Sequence, residues 1–108
     1  MQVAVDAESL PDELPDEHRT CVYRIVQEAL NNAARHAGAT SVKVTVHLEP
    51  GALAMEISDN GHGFDPARTR GMGLLGMEER VRNMHGKFAI QSAAGQGTVV
   101  RVTLPLGA

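Results

Sequence analysis

SVKVTVHLEPGALAMEISDNGHGF, residues 41–64, sets the architecture. Val42, Val44, Val46 and Leu48 alternate with Lys43, Thr45 and His47. A period of two puts the apolar side chains on one face of a strand and the polar ones on the other. Glu49-Pro50-Gly51 reverses the chain, and Leu53, Met55 and Ile57 resume the alternation, which runs into Ser58 and Asp59. Two half-buried strands joined by so short a turn form an antiparallel pair, and its apolar face needs a covering layer. Beyond Asp59 the pattern stops. Asn60, Gly61, Gly63, Pro66, Gly71 and Gly73 make residues 60–73 a loop.

The covering layer is legible on both sides of this hairpin. Residues 1–5 read as a short strand, and Asp6, Pro11, Asp12 and Pro15 mark a polar loop over 6–15. A helix is expected from Asp16, because Pro15 blocks propagation from upstream and Asp16 and Glu17 favour a first turn. Val22, Ile25, Val26, Ala29, Leu30 and Ala33 then recur at spacings of three and four, one buried stripe that should end at Gly38. Downstream, residues 74–85 read as a second helix with Leu74, Leu75, Met77, Val81 and Met84 inward and Gly86 as its stop. Residues 87–92 and 98–104 read as strands joined by a turn holding Ala94, Gly95, Gln96 and Gly97. The order predicts an α/β two-layer sandwich: a mixed, mostly antiparallel sheet of about five strands, covered on one face by helices. Residues 1–108 are expected to form one domain.

Composition excludes several classes. With 43% hydrophobic and 21% charged residues the chain is ordinarily globular, but aromatics are only 3%, so aliphatic side chains, Ala and Met must build the core. The net charge of −3 lacks the basic field of a nucleic-acid binder, yet local donors can hold phosphates on an acidic protein. No run approaches the ~20 apolar residues a membrane span needs, and no signal peptide is visible, so no membrane contact is expected and a cytoplasmic setting is. The lone Cys21 allows no internal disulfide, and its place in the helical stripe reads as a small core residue.

Four clusters carry chemistry. On the first helix stand Glu28, Asn31, Asn32, Arg35 and His36. Glu28 and Asn32, four apart, share a face. An Asn carbonyl is a hard oxygen ligand for Mg²⁺, a nearby carboxylate can polarise an attacking group, and Arg35 or His36 could meet phosphate oxygens. The same residues also suit a solvated helix face. The second cluster, Asp59-Asn60-Gly61-His62-Gly63-Phe64, puts a carboxylate at a buried strand end, where a purine exocyclic amine could satisfy it, with glycines that let backbone approach a flat ring. Equally, Asp and Gly there make an Asx-type turn. In the third, Gly71-Met72-Gly73-Leu74-Leu75-Gly76-Met77, glycines at a helix start leave N–H groups aimed at an anion. No Gly-Lys-Ser/Thr is present, so this is not a P-loop. In the fourth, Gly95-Gln96-Gly97-Thr98, the Thr hydroxyl can share a water with a carboxylate or a base, although the stretch is also a plain hairpin.

Together, and in this order, the clusters resemble the N-box, G1-box, G2-box and terminal Gly-Thr element of the GHKL ATPases, which share the Bergerat fold. Glu28 to Ala37 and Gly73 to Val81 are similar to the short sensor histidine kinases that work with LuxR-like response regulators. The resemblance covers residues 22–104 and implies an ATP-binding catalytic domain using Mg²⁺. It implies Asn32 as the metal ligand, Glu28 as the base-like carboxylate, and Asp59 as reader of the adenine amine with Thr98 helping through water. Gly61 and Gly63 would floor the adenine pocket. Gly71, Gly73, Leu74 and Gly76 would close over the phosphates, with Asn31, Arg35 and His36 near ribose or phosphate. The loop from Asn60 to Gly71 should be ordered by ATP and Mg²⁺.

None of His18, His36, His47, His62 and His85 sits on a preceding helical hairpin of the kind these kinases phosphorylate. The acceptor is therefore expected on a separate dimerisation domain of the full-length protein, with a response regulator as indirect partner and little kinase activity for this domain alone. The competing expectations are an anti-sigma-factor serine kinase, a topoisomerase or chaperone ATPase fragment, and a degenerate interaction module.

Overall fold

The strands β2 (Ser41–Glu49) and β3 (Ala52–Asp59) form the hairpin that the alternation predicts, in register from Val42↔Asp59 to Glu49↔Ala52. The computed structural model describes residues 1–6, 14–35, 38–63, 74–93 and 95–106. Around the hairpin lie β1 (Gln2–Asp6), β4 (Lys87–Ser92) and β5 (Thr98–Pro105), in the sheet order β1-β2-β3-β5-β4. The β1–β2 pair is parallel and the other three are antiparallel, so the sheet is mixed and mostly antiparallel as expected. Two helices, α1 (Asp16–Arg35) and α2 (Leu74–Asn83), cover one face, α1 over β2 and β3 and α2 over β4 and β5. Val42, Val44, Met55, Ile57, Val100 and Val102 point at them and are buried. The opposite face is solvated; there Arg101 Nε donates to Glu56 (3.1 Å) and its Nη1 to Gln91 Oε1 (2.9 Å). Neither helix shelters β1, whose Val3 and Val5 remain exposed.

The stripe of α1 is centred differently from the one its apolar residues suggest. Cys21, Ile25, Ala29, Asn32 and Ala33 are buried, while Val22, Val26 and Leu30 are only partly so. Cys21 is a core residue, and burial raises its thiol pKa, an effect the nearby Arg80 guanidinium opposes. On α2, Met77 and Val81 are buried, but Leu75 is 70% exposed, contrary to the expectation. One residue along a helix is about 100° of rotation, and the stripe through Leu74, Met77, Val81 and Met84 leaves Leu75 on the outer side.

The end of α2 also differs from the expected glycine stop. The residue with positive φ is His85 (φ 60°). Its N–H donates to the Arg82 carbonyl, and the Gly86 N–H donates to the Val81 carbonyl, both at 2.9 Å. This is a Schellman cap with histidine where glycine is usual. Gly86 is needed for a different reason: a Cβ there would run into the Thr103 carbonyl oxygen and meet Leu104 Cδ2 and Val81 Cγ1 at 2.9 Å. His85→Gly should therefore stabilise the protein by about 1 kcal/mol, because only an L side chain is strained in that conformation. Urea unfolding would register it as a raised midpoint at unchanged slope.

Candidate functional site

At the open ends of β3 and β5 the inner face of the sheet turns polar. Asp59 is the register partner of Thr98, so their side chains stand together on the helix-covered face. Across from them, Asn32 projects inward from α1 and is only 7% exposed, while Thr98 is 6% exposed. These three line one cavity together with Ile57, Met77, Ile90 and Leu74, the last being the first residue of α2. The polar groups gather at one end of apolar walls, the arrangement expected of a small-molecule site. Its free volume is about 10 Å³, room for roughly one water. A flat ring needs more room than this cavity offers as it stands.

The Asp59 turn is the Asx-type turn that its sequence suggests. Asp59 Oδ1 accepts the Gly61 N–H at 2.8 Å, an Asx turn, and among the described residues Oδ2 accepts nothing. Asn60, read from sequence only as a loop residue, is a clamp. Its Oδ1 accepts the N–H groups of Thr40 and Ser41, both at 3.0 Å, and its Nδ2 donates to Thr40 Oγ1 at 2.9 Å. The site-bearing turn is thereby pinned to the start of β2. Gly61 and Gly63 do not line the cavity. Gly63 (φ 71°) backs onto the β4–β5 turn, where a Cβ would strike the Ala93 carbonyl oxygen.

Glu28 lies beside this cavity rather than in it. It lines a neighbouring cleft of about 160 Å³ between the two helices, with Gly76, Arg24 and Arg80. Met77 borders both spaces. Asn31 and Arg35 are exposed on α1 and line neither. His36, Gly71 and Gly73 lie outside the described residues, as does most of the loop expected to respond to nucleotide. The structure thus brings together Asn32, Asp59, Leu74 and Thr98, with Glu28 and Gly76 one helix face away.

A two-layer fold with a buried amide on one helix facing a carboxylate and a hydroxyl at the end of the sheet is the class of domain seen here, and comparison with known proteins gives its family. Residues 17–108 match the family described as histidine kinase-, DNA gyrase B-, and HSP90-like ATPase. The chain belongs to this ATP-binding family, as a catalytic domain of the sensor-histidine-kinase type. It is 36% identical to the sensor histidine kinase MctS of Rhizobium johnstonii over all of this chain and 24% of that protein. It is 39% identical to the oxygen sensor histidine kinase NreB of Staphylococcus carnosus, over 84% of this chain and 27% of that one. The chain thus spans about a quarter of the length of these curated relatives. Among solved structures, the histidine kinase domain of the blue-light activated kinase EL346 from Erythrobacter litoralis shares the fold at TM-score 0.81. That match has 23% identity and covers 97% of this chain and 51% of that one. AdeS of Acinetobacter baumannii shares it at TM-score 0.79 and 16% identity, over 99% and 55% of the two chains.

Proposed function

We propose that this domain binds Mg-ATP in the cleft between α1, α2 and the end of the sheet, and presents the γ-phosphoryl group to a histidine on a separate dimerisation domain of a longer cytoplasmic or membrane-anchored protein, for relay to a response regulator. The observation that carries this reading is the Asp59–Thr98 pair at the end of an apolar cavity, faced by the buried Asn32. Adenine is flat and apolar on its faces and carries a hydrogen-bond-donating amine on its edge. Ile57, Met77 and Ile90 suit the faces, and the unused Asp59 oxygen suits the amine.

Magnesium fits the donors present. Among the described residues no cluster of three or more His, Cys, Asp or Glu side chains could cage a metal by itself. Mg²⁺ rarely uses such a cage; it takes one or two protein oxygens and fills its shell with waters and phosphate oxygens. The Asn32 side-chain carbonyl would be the protein oxygen that holds it. When bound, the ion supplies neutralisation of phosphate charge.

The chain's own groups divide the remaining work. The N–H groups at the start of α2, at Leu74 and just after it, would meet phosphate oxygens at the edge of the cavity. Glu28, in the neighbouring cleft, would accept a hydrogen bond from the incoming nucleophile and hold its proton as the nitrogen attacks. Phosphoryl transfer needs mainly alignment and charge stabilisation, so a domain of this kind is competent once the acceptor is brought to it. No helix among the described residues is long and apolar enough to cross a membrane.

Calorimetric titration with a non-hydrolysable ATP analogue, with and without Mg²⁺, tests the proposal. Binding strengthened by magnesium is expected, and Asn32→Ala should abolish most of the magnesium dependence while retaining metal-free binding within about threefold, since the lost ligand serves the ion rather than the base. Absence of binding by the wild-type protein at millimolar analogue would overturn the reading.

A further inference from the structure

The inner face of the sheet is built in rows of three side chains, one each from β4, β5 and β3. Phe88, Val102 and Met55 form one row and Ile90, Val100 and Ile57 the next. In the third row these three strands contribute only polar side chains, Ser92, Thr98 and Asp59, beside the buried Val42 of β2. Thr98 and Asp59 line the cavity, whereas Ser92 stands one strand behind them and has no role in the function proposed above.

Counting protons shows what Ser92 does to its neighbour. Its Oγ lies 3.1 Å from the Gly97 carbonyl oxygen and 2.8 Å from Thr98 Oγ1. A carbonyl oxygen can only accept, so that contact takes the single Ser92 hydroxyl proton. Either hydroxyl can donate in the 2.8 Å contact between them; with the Ser92 proton on the Gly97 carbonyl, Thr98 supplies it. Thr98 is left with lone pairs, and no proton, to present to the cavity. A carboxylate also offers only lone pairs, and one Asp59 oxygen is already engaged with the Gly61 N–H at 2.8 Å. The polar end of the cavity therefore holds two acceptors side by side and no hydroxyl donor.

We propose that Ser92 is a positioning residue that fixes the polarity of the Thr98 hydroxyl and so makes the site select a purine with a 6-amino group over one with a 6-keto group. An amino group has two protons, one for each acceptor. A keto oxygen has none; the N1–H beside it can serve Asp59, but the oxygen itself then faces the lone pairs of Thr98, an unpaired buried contact that binding penalises. Without Ser92, the Thr98 proton is released and the hydroxyl can rotate to donate to a keto oxygen. The inference rests on the nucleotide reading of the cavity and deepens it.

The experiment compares ATP with ITP, which differ in the base at the 6-position and its neighbouring ring nitrogen, by calorimetry on wild type, Ser92→Ala and Ser92→Thr. The preference for ATP should shrink about three- to tenfold in Ser92→Ala, chiefly through tighter ITP binding, the value of one neutral hydrogen bond. Ser92→Thr keeps a hydroxyl in a strand position and should keep the preference. Should Ser92→Ala fail to fold, Ser92→Cys preserves the shape with a weak donor and should show the same shrinkage. A preference within twofold of wild type in Ser92→Ala, or equal weakening of both nucleotides, would overturn the inference and leave the ATP site standing. Failure of the wild-type protein to bind ATP at all would instead overturn the site, and the inference with it.

Discussion

Asp59→Asn is expected to weaken ATP-analogue binding by about 10- to 100-fold while leaving the domain folded. The substitution separates the two tasks of the carboxylate. The oxygen that accepts the Gly61 N–H at 2.8 Å survives as the amide oxygen, so the turn keeps its bond. The other oxygen becomes an NH₂ group and is turned toward a base amine, donor against donor. A half-buried polar pair mismatched in this way costs about 1–3 kcal/mol. Calorimetry gives the affinity and a thermal melt by circular dichroism gives the fold. Unchanged affinity in a well-folded variant would show that Asp59 is only a turn residue, the reading its sequence setting also allowed.

That ambiguity marks where sequence stops carrying information. The β2–β3 hairpin is legible because strand period is local: Val42, Val44 and Val46 repeat every second residue, and all are buried. The packing of Leu75 is not, since its neighbours fix the stripe of α2 and an apolar residue one position off reads the same. Asn32 escapes a stripe drawn from apolar residues, although its burial is what makes it notable. The pairing of Asp59 with Thr98 depends on β5 inserting between β3 and β4, a long-range choice that no local pattern encodes. Ser92 follows the same rule. In sequence it ends an ordinary strand, and only the β4–β5 register shows that its hydroxyl meets that of Thr98. The strand ends that resemble a nucleotide site are thus readable one by one, while the convergence of Asp59, Thr98 and Asn32 belongs to the fold.

Gly97→Ala should have the larger effect on stability, about 3 kcal/mol or more, and the comparison with Gly95→Ala shows why. Both glycines sit in the β4–β5 turn with similar left-handed backbone, φ 74° at Gly97 and 77° at Gly95. Each substitution carries the conformational cost of an L residue there, about 1–2 kcal/mol. At Gly95 that is the whole cost, since a Cβ meets nothing within 4 Å. At Gly97 the Cβ would run into the Asp59 carbonyl oxygen and lie 3.3 Å from its carbon. Backbone cannot swing aside as a side chain can, because Asp59 is held in the β3–β5 ladder and Asn60 is pinned to Thr40 and Ser41. Relief requires Thr98 to move away from Asp59, so nucleotide affinity should fall in Gly97→Ala and hold in Gly95→Ala. At about 4–8 °C per kcal/mol for a domain near this size, the Gly97 variant should melt on the order of 15 °C below wild type and the Gly95 variant several degrees below it. Equal melting temperatures for the two variants would mean that the close approach of Gly97 to Asp59 contributes nothing, and with it the argument that the turn sets the spacing of the Asp59–Thr98 pair.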